Sequence, residues 1–119
     1  MNLFQFGAFQ LHGGELSNWK IECDALTDDD WETLAKLISW KVKFRDVVGI
    51  PRGGLKLSNS LRQYMEKDSN YPVLIVDDVY TTGKSMKKYL KEKDDIAYVV
   101  FARVKPRDRR IKVLFQYKG

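Results

Sequence analysis

Val73-Leu74-Ile75-Val76-Asp77-Asp78-Val79-Tyr80-Thr81-Thr82-Gly83-Lys84-Ser85 is the stretch that decides the fold. Its four leading apolar residues read as a strand buried on both faces, the kind found in the middle of a parallel sheet. Two adjacent carboxylates follow at its carboxyl end, where open α/β sheets bind their ligands. A short run of small hydroxyl residues and a glycine then opens a helix. The free N–H groups and dipole of a helix start favour an anion, and the hydroxyls of Thr81, Thr82 and Ser85 add donors. The loop therefore suits a phosphate, and the carboxylates suit hydroxyl groups close by. A phosphorylated sugar satisfies both. The ending Gly83-Lys84-Ser85 is shared with the Walker phosphate loop, but that motif needs a glycine where this chain has Asp78. A carboxylate in a phosphate cradle repels its ligand. An ordinary strand–turn–helix with Asp77 and Asp78 as solvated charges does not account for the Thr-Thr-Gly that follows.

Working outward, the same pattern repeats. Asp46-Val47-Val48-Gly49-Ile50 predicts a short buried strand, broken by Pro51-Arg52-Gly53-Gly54, with a helix from about Leu55 to Glu66. The helix after Gly83 is expected to reach about Lys93. Ile96 to Ala102 reads as a third buried strand, and Ile111 to Tyr117 as a final strand of alternating character. Towards the amino end, Phe4 to Leu11 and Trp19 to Cys23 read as strands joined by a turn at Gly13-Gly14. Thr27 reads as a helix N-cap, with Asp28, Asp29 and Asp30 in the first turn, where carboxylates suit the dipole. Trp31, Leu34, Ala35 and Ile38 then share one helical face. The expected fold class is α/β: a short, mostly parallel sheet flanked by helices. Antiparallel-looking strands at the two ends would form a small hood. Residues 1–119 are expected to form a single domain, 1–26 giving the hood and first strands, 27–119 the core and last strand.

Composition bounds the alternatives. The chain has 119 residues, 44% hydrophobic and 13% aromatic, enough for one packed core and too apolar for a disordered chain. One cysteine, Cys23, excludes an internal disulfide, and with one histidine no Cys/His metal cluster can form. Cys23 reads as a small buried residue in a strand. Trp19, Trp31 and Trp40 read as packing residues, in the core or against a partner. No apolar run approaches the ~20 residues of a membrane span. The start, Met1-Asn2-Leu3-Phe4-Gln5-Phe6-Gly7, lacks the basic and apolar regions of a secretory signal, so a cytoplasmic location is expected. Lys and Arg total 21 against 16 Asp and Glu, a net charge of +5 that favours anionic partners. The cations gather late, as Lys84, Lys87, Lys88, Lys91 and Lys93, then Arg103, Lys105, Arg107, Arg109 and Arg110.

The central stretch resembles the phosphoribosyl-pyrophosphate signature of type I phosphoribosyltransferases: an apolar strand, two acids, two more residues, then Thr-Thr-Gly and a small hydroxyl residue. That resemblance implies that Asp77 and Asp78 hold the ribose 2- and 3-hydroxyls, as catalytic groups. It implies that Thr81, Thr82, Gly83, Lys84 and Ser85 wrap the 5-phosphate. Gly49-Ile50-Pro51-Arg52-Gly53-Gly54-Leu55 resembles the family's pyrophosphate loop. Its glycines allow close backbone approach and Arg52 is available to phosphate oxygens. The segment from Phe6 to Ser17 is similar to the hood of orotate phosphoribosyltransferases, with His12 at a lysine position and Gly13 at a serine position. Arg103 falls where that group carries an arginine for the acceptor's carboxylate. Tyr80, inside the signature, is open to stacking on a base or to packing on the solvent side.

One part of the family pattern has no place here. Family members carry a further strand and a long closing loop between the pyrophosphate-loop helix and the signature strand. This chain has only Lys67-Asp68-Ser69-Asn70-Tyr71-Pro72. Closing loops exclude water and complete a site, so the binding half is present and the closing half is missing. The run Lys105-Pro106-Arg107-Asp108-Arg109-Arg110 is one expected substitute source of cations. The resemblance implies binding of phosphoribosyl pyrophosphate or the matching nucleotide, with transfer of phosphoribosyl to a nitrogenous base as the reaction. Mg²⁺ would be bound through the substrate pyrophosphate, and the chain would pair as a homodimer. The alternatives are a non-catalytic module that senses the precursor or nucleotide, and nucleic-acid binding through the basic face, for which no sequence motif is present.

Overall fold

A computed structural model describes the backbone of Phe4–Gln10, Leu16–Ile21 and residues 23–116, and the side chains of 23 and 25–116. Strands β1 (Phe4–Gln10) and β2 (Leu16–Ile21) pair antiparallel as a separate two-stranded sheet, with an irregularity between Phe6 and Phe9. A 3-10 turn over Cys23–Ala25 follows, so Cys23 is buried as expected but lies in a turn and not in a strand.

Helix α1 (Asp28–Lys41) starts on a complete capping box. The Thr27 hydroxyl accepts from the Asp30 N–H at 3.1 Å, and the Asp30 carboxylate accepts from the Thr27 N–H at 2.8 Å. Its Trp31, Leu34, Ala35 and Ile38 are buried together. Trp40 is 72% exposed and packs no core, unlike Trp31.

The main sheet contains β3 (Asp46–Gly49), β4 (Val73–Tyr80), β5 (Ile96–Ala102) and β6 (Ile111–Gln116), in that spatial order and all parallel. The parallel β6 corrects the expectation that the last strand joins an antiparallel hood. An alternating pattern marks a strand with one face covered and does not report its direction. The return from β5 to β6 uses only residues 103–110. Eight extended residues reach about 26 Å, just enough to run back along a seven-residue strand of about 23 Å. A helix would not fit.

Helix α2 (Leu55–Leu61) ends early and tightens into a 3-10 turn over Arg62–Tyr64. Helix α3 (Lys84–Tyr89) has six residues and stops well short of Lys93. Leu57 and Leu61 of α2 join α1, Val47, Leu74, Val76 and Val100 in one core. Met86 of α3, with Leu90 just beyond it, joins Ile75, Ala97, Val99 and Ile111 in a second core on the other face.

The two faces carry a topological consequence. The chain advances in one direction across β3, β4 and β5, yet α2 covers one face and α3 the opposite one. Successive crossovers of that kind have opposite hands, so one of them departs from the right-handed rule. A strand on the outer side of β3, reached through α2, would reverse the first crossover and restore one hand to both. Residues 65–72, between α2's terminal turn and β4, contain no such strand. Glu66 N–H bonds to the Phe44 carbonyl at 2.9 Å and Tyr71 N–H to the Asp68 carbonyl at 3.2 Å, which makes this interval a turn.

Candidate functional site

β4 runs on through the two acids to Tyr80, further than the apolar run alone suggests. Its side-chain order changes there. Leu74 and Val76 face the α1/α2 core and Ile75 the α3 core, whereas Val79 packs on the first core and Tyr80 on the second. The alternation therefore slips by one across Asp77-Asp78. The neighbouring β5 slips at the same level, with Val100 and Phe101 both on the first core, and the β4 backbone carries local side-chain bonds there. The Asp78 N–H donates to the Asp77 carboxylate at 2.8 Å, and the Val79 N–H donates to the Asp78 carboxylate at 2.7 Å. Each acid turns back onto the next amide, which distorts the strand locally.

Both acids are half-buried. Asp77 is pushed up to about 8, first by burial, then by its hydrogen bond to the Asp78 carboxyl and by that group's charge. At neutral pH Asp77 keeps its proton and donates it within the pair.

On one side of the pair lies a cleft of about 90 Å³. Asp77, Thr81, Thr82, Gly83, Lys84 and Ser85 line it, joined by Val79, Tyr80, Met86 and Val99. Gly83 has φ +81°, and a side chain there would meet the Tyr80 hydroxyl at 2.5 Å. The phenol therefore packs on the glycine and holds the loop's turn, which adds a third role to the two the sequence left open for Tyr80. Thr82 accepts from the Lys84 N–H at 3.4 Å. Met86 and Val99 carry no chemical signal in the sequence. Val99 reaches the cleft because it is the partner of Asp77 in the parallel register.

On the other side stands the loop 51–54. Ile50 N–H bonds the Val76 carbonyl at 2.9 Å and Gly54 N–H bonds the Ile50 carbonyl at 2.8 Å, tying the loop to β4. The Pro51–Arg52 peptide is cis. Gly53 lies so close to Asp78 that any Cβ there would run into the carboxylate. Arg52 is exposed at the loop's tip. The carboxyl ends of β3 and β4 thus bring Arg52, Gly53 and Gly54 beside Asp78, and the hydroxyl loop beside Asp77.

The remaining candidates divide. Arg103 follows β5 directly, half-buried, with its N–H bonded to the Tyr80 carbonyl at 3.1 Å, so it stands at the same end of the sheet. His12 lies outside the described residues, as do Gly13 and Gly14. Arg110 is at the opposite end. Its carbonyl accepts from Ala97 N–H, its guanidinium pairs with Asp108 at 2.7 Å, and it donates to the Glu92 carbonyl at 3.1 Å. Arg110 therefore does not serve the crevice, because the return to a parallel β6 carries the end of the basic run away from it. The pairing holds the Asp108 carboxyl below the usual range. Among the described residues no group of three or more His, Cys, Asp or Glu could hold a metal ion, and no helix is long and apolar enough to cross a membrane.

No family model and no curated protein matches the sequence. Solved structures do match the fold. The chain is similar to orotate phosphoribosyltransferase from Aeropyrum pernix, with a TM-score of 0.72 and 22% identity over 96% of this chain and 88% of that one. It is similar to Leishmania donovani UMP synthase, with a TM-score of 0.72 and 16% identity over 96% of this chain and 33% of that one. The Helicobacter pylori xanthine-guanine-hypoxanthine phosphoribosyltransferase aligns with a TM-score of 0.52 and 17% identity, over 74% of this chain and 80% of that one.

Proposed function

The chain has the type I phosphoribosyltransferase fold, and we propose that it binds a 5-phosphorylated ribose, as phosphoribosyl pyrophosphate or the matching nucleotide, at the carboxyl ends of β3, β4 and β5. One observation carries this reading. The Asp77-Asp78 pair stands between the hydroxyl loop on one side and the glycine loop on the other, with Gly53 against Asp78 and Asp77 in the cleft wall.

In this reading Thr81, Thr82, Gly83, Lys84 and Ser85 take the 5-phosphate, and Asp77 and Asp78 take the ribose hydroxyls. Arg52, Gly53 and Gly54 take the pyrophosphate. A hydroxyl donates best to an ionised carboxylate, so ribose binding favours release of the Asp77 proton. The donor set around the acids is too small to hold a cation alone. Mg²⁺ fits here as a partner of the pyrophosphate oxygens, where it neutralises their charge. The reaction this arrangement supports is displacement at ribose C1. The bond to pyrophosphate breaks, a bond to a base nitrogen forms, and the protein's part is positioning and charge stabilisation. Arg103 borders the acceptor side. The β1–β2 sheet serves as the hood in this reading, over a single domain of residues 1–119 acting as a homodimer in the cytoplasm.

A second reading is a module that binds the same ligand without transferring it. The turn at residues 65–72 favours it, because that interval supplies no closing loop. Titration calorimetry with phosphoribosyl pyrophosphate and Mg²⁺ tests the shared premise, and absence of binding overturns both readings. Pyrophosphate release across a panel of bases then separates them: release with one base selects transfer, and tight binding without release selects sensing.

A further inference from the structure

The net charge of this protein is not spread over it. Residues 84–112 hold eleven Lys and Arg and four Asp and Glu, a net of +7, while the rest of the chain holds ten and twelve, a net of −2. The fold gathers these cations on one face. Met86 and Leu90 turn inward to the second core, which leaves Lys84, Lys87, Lys88 and Lys91 exposed on the outer side of α3 and just past its end. The return segment runs alongside, with Lys105, Arg107 and Arg109 exposed. The two rows are neighbours: Asp108 feels the charge of Lys87, and Arg110 bonds the Glu92 carbonyl just past α3. Asp108 is itself neutralised by Arg110. The face is therefore a cationic track, opposed at its far end by Glu92, Asp94 and Asp95, about 23 Å long if it follows β5, and beginning at Lys84 in the wall of the cleft.

We propose that this face is a track for a single strand of nucleic acid, held by its phosphates. The chemistry of the face selects that partner over other polyanions. Protein interfaces centre on a buried aromatic or aliphatic anchor, and among residues 84–112 only Val104 is a large exposed apolar side chain. The same lack removes the apolar wedge that seats a basic helix in a bilayer. Regularly spaced phosphates need only cations, which is what the face offers. Tyr89, half-buried at the end of α3 with one side packed on the second core, supplies the aromatic component that single-strand sites combine with a basic groove. The cleft where the track begins is lined by Thr81, Thr82, Lys84 and Ser85, groups that suit a terminal phosphate. The end of a strand, with its terminal phosphate, therefore fits its mouth. Only this last point leans on the phosphate-binding reading of the cleft.

The test is fluorescence anisotropy of the full chain with a short labelled single strand, its duplex, polyglutamate and anionic vesicles, over a range of salt concentrations. The single strand should bind tightest, with log K falling linearly against log salt by about 0.7 per phosphate neutralised. Lys87→Ala/Lys88→Ala/Lys91→Ala should weaken it at least ~10-fold at about 100 mM salt and flatten the slope by about 2. Lys36→Ala/Lys41→Ala/Lys56→Ala, the same charge change on the α1/α2 side, should leave both nearly unchanged. Equal losses in the two variants, equal affinity for polyglutamate or vesicles, or a duplex bound as tightly as the single strand would each overturn the proposal. Calorimetry with phosphoribosyl pyrophosphate on the same variants keeps the two readings apart, because the track variant should bind it as the parent chain does.

Discussion

Two runs of acidic residues stand in this chain, Asp28-Asp29-Asp30 and Asp77-Asp78, and their surroundings give the same side chain opposite duties. The first run is exposed at the start of α1, with the Asp30 carboxylate closing the capping box. Water solvates its charges and the helix start favours them. The second run is half-buried between two loops, and its carboxyls share a hydrogen bond. Charge is cheap at the first run and costly at the second. A cost of that kind persists only where the surrounding structure imposes it, and perturbed carboxyls of this sort mark candidate functional sites.

The sharpest way to break this contrast is to neutralise each run. Asp77→Asn/Asp78→Asn should lower affinity for phosphoribosyl pyrophosphate about a thousandfold, the equivalent of two charge-assisted hydrogen bonds. Asp28→Asn/Asp29→Asn should leave it unchanged. Calorimetry on both variants checks this, and retained binding in the first would remove the acids from the site.

The next effect is on stability and depends on pH. Folded Asp77 holds its proton to about pH 8, whereas the unfolded chain loses it near the ordinary carboxyl value. Between those limits the folded state binds more protons, so stability falls as pH rises. Asp77→Asn should abolish that slope and leave the ligand-free protein more stable than the parent above pH 8. Urea denaturation from pH 5 to 9 would show it, and parallel curves for variant and parent would contradict it. Ligand affinity should rise with pH through the same window, with proton release detectable in buffers of different ionisation enthalpy.

A third test probes the packing that imposes the cost. Gly53→Ala places a Cβ against the Asp78 carboxylate and should destabilise the fold by about 2 kcal/mol, the usual penalty of overpacking. It should weaken ligand binding at the same time, because Asp78 must move. Thermal unfolding with and without ligand would show both, and a stable variant with full affinity would mean that the two loops are not coupled.

Much of this organisation is legible in the sequence because it rests on short-range rules. The capping box, the apolar face of α1 and the buried runs of β4 and β5 follow from periodicity and from what a helix end requires. The neighbourhood of Asp77 with Thr81, Thr82 and Ser85 follows because strand, loop and helix are consecutive. What the sequence leaves open depends on long-range pairing. Alternation in residues 111–116 is the same for a parallel and an antiparallel edge strand, so β6 and the far placement of Arg110 emerge only from the sheet register. The encounter of Gly53 with Asp78 joins residues 25 positions apart, and no local pattern announces it. The length of α3 misleads for a different reason. Lys84, Lys87, Lys88 and Lys91 keep a helical spacing, but the chain must turn at Leu90 to bring Ile96 into β5 beside β4.

The smallest expected effect belongs to the first acidic run. Thr27→Ala removes the hydroxyl that accepts from the Asp30 N–H and should cost about 1 kcal/mol of stability, the usual value of an N-cap. Asp30→Asn keeps an oxygen in place and should cost less, since an amide can still accept from the Thr27 N–H while only the favourable interaction with the helix dipole is lost. Both changes should move the unfolding midpoint and leave ligand affinity alone, because α1 packs on the face away from the cleft and its Trp31, Leu34 and Ile38 anchor it there. A change in affinity on losing the cap would mean that α1 transmits strain through α2 to the loop 51–54. The contrast between the two acidic runs would then describe two ends of one coupled unit.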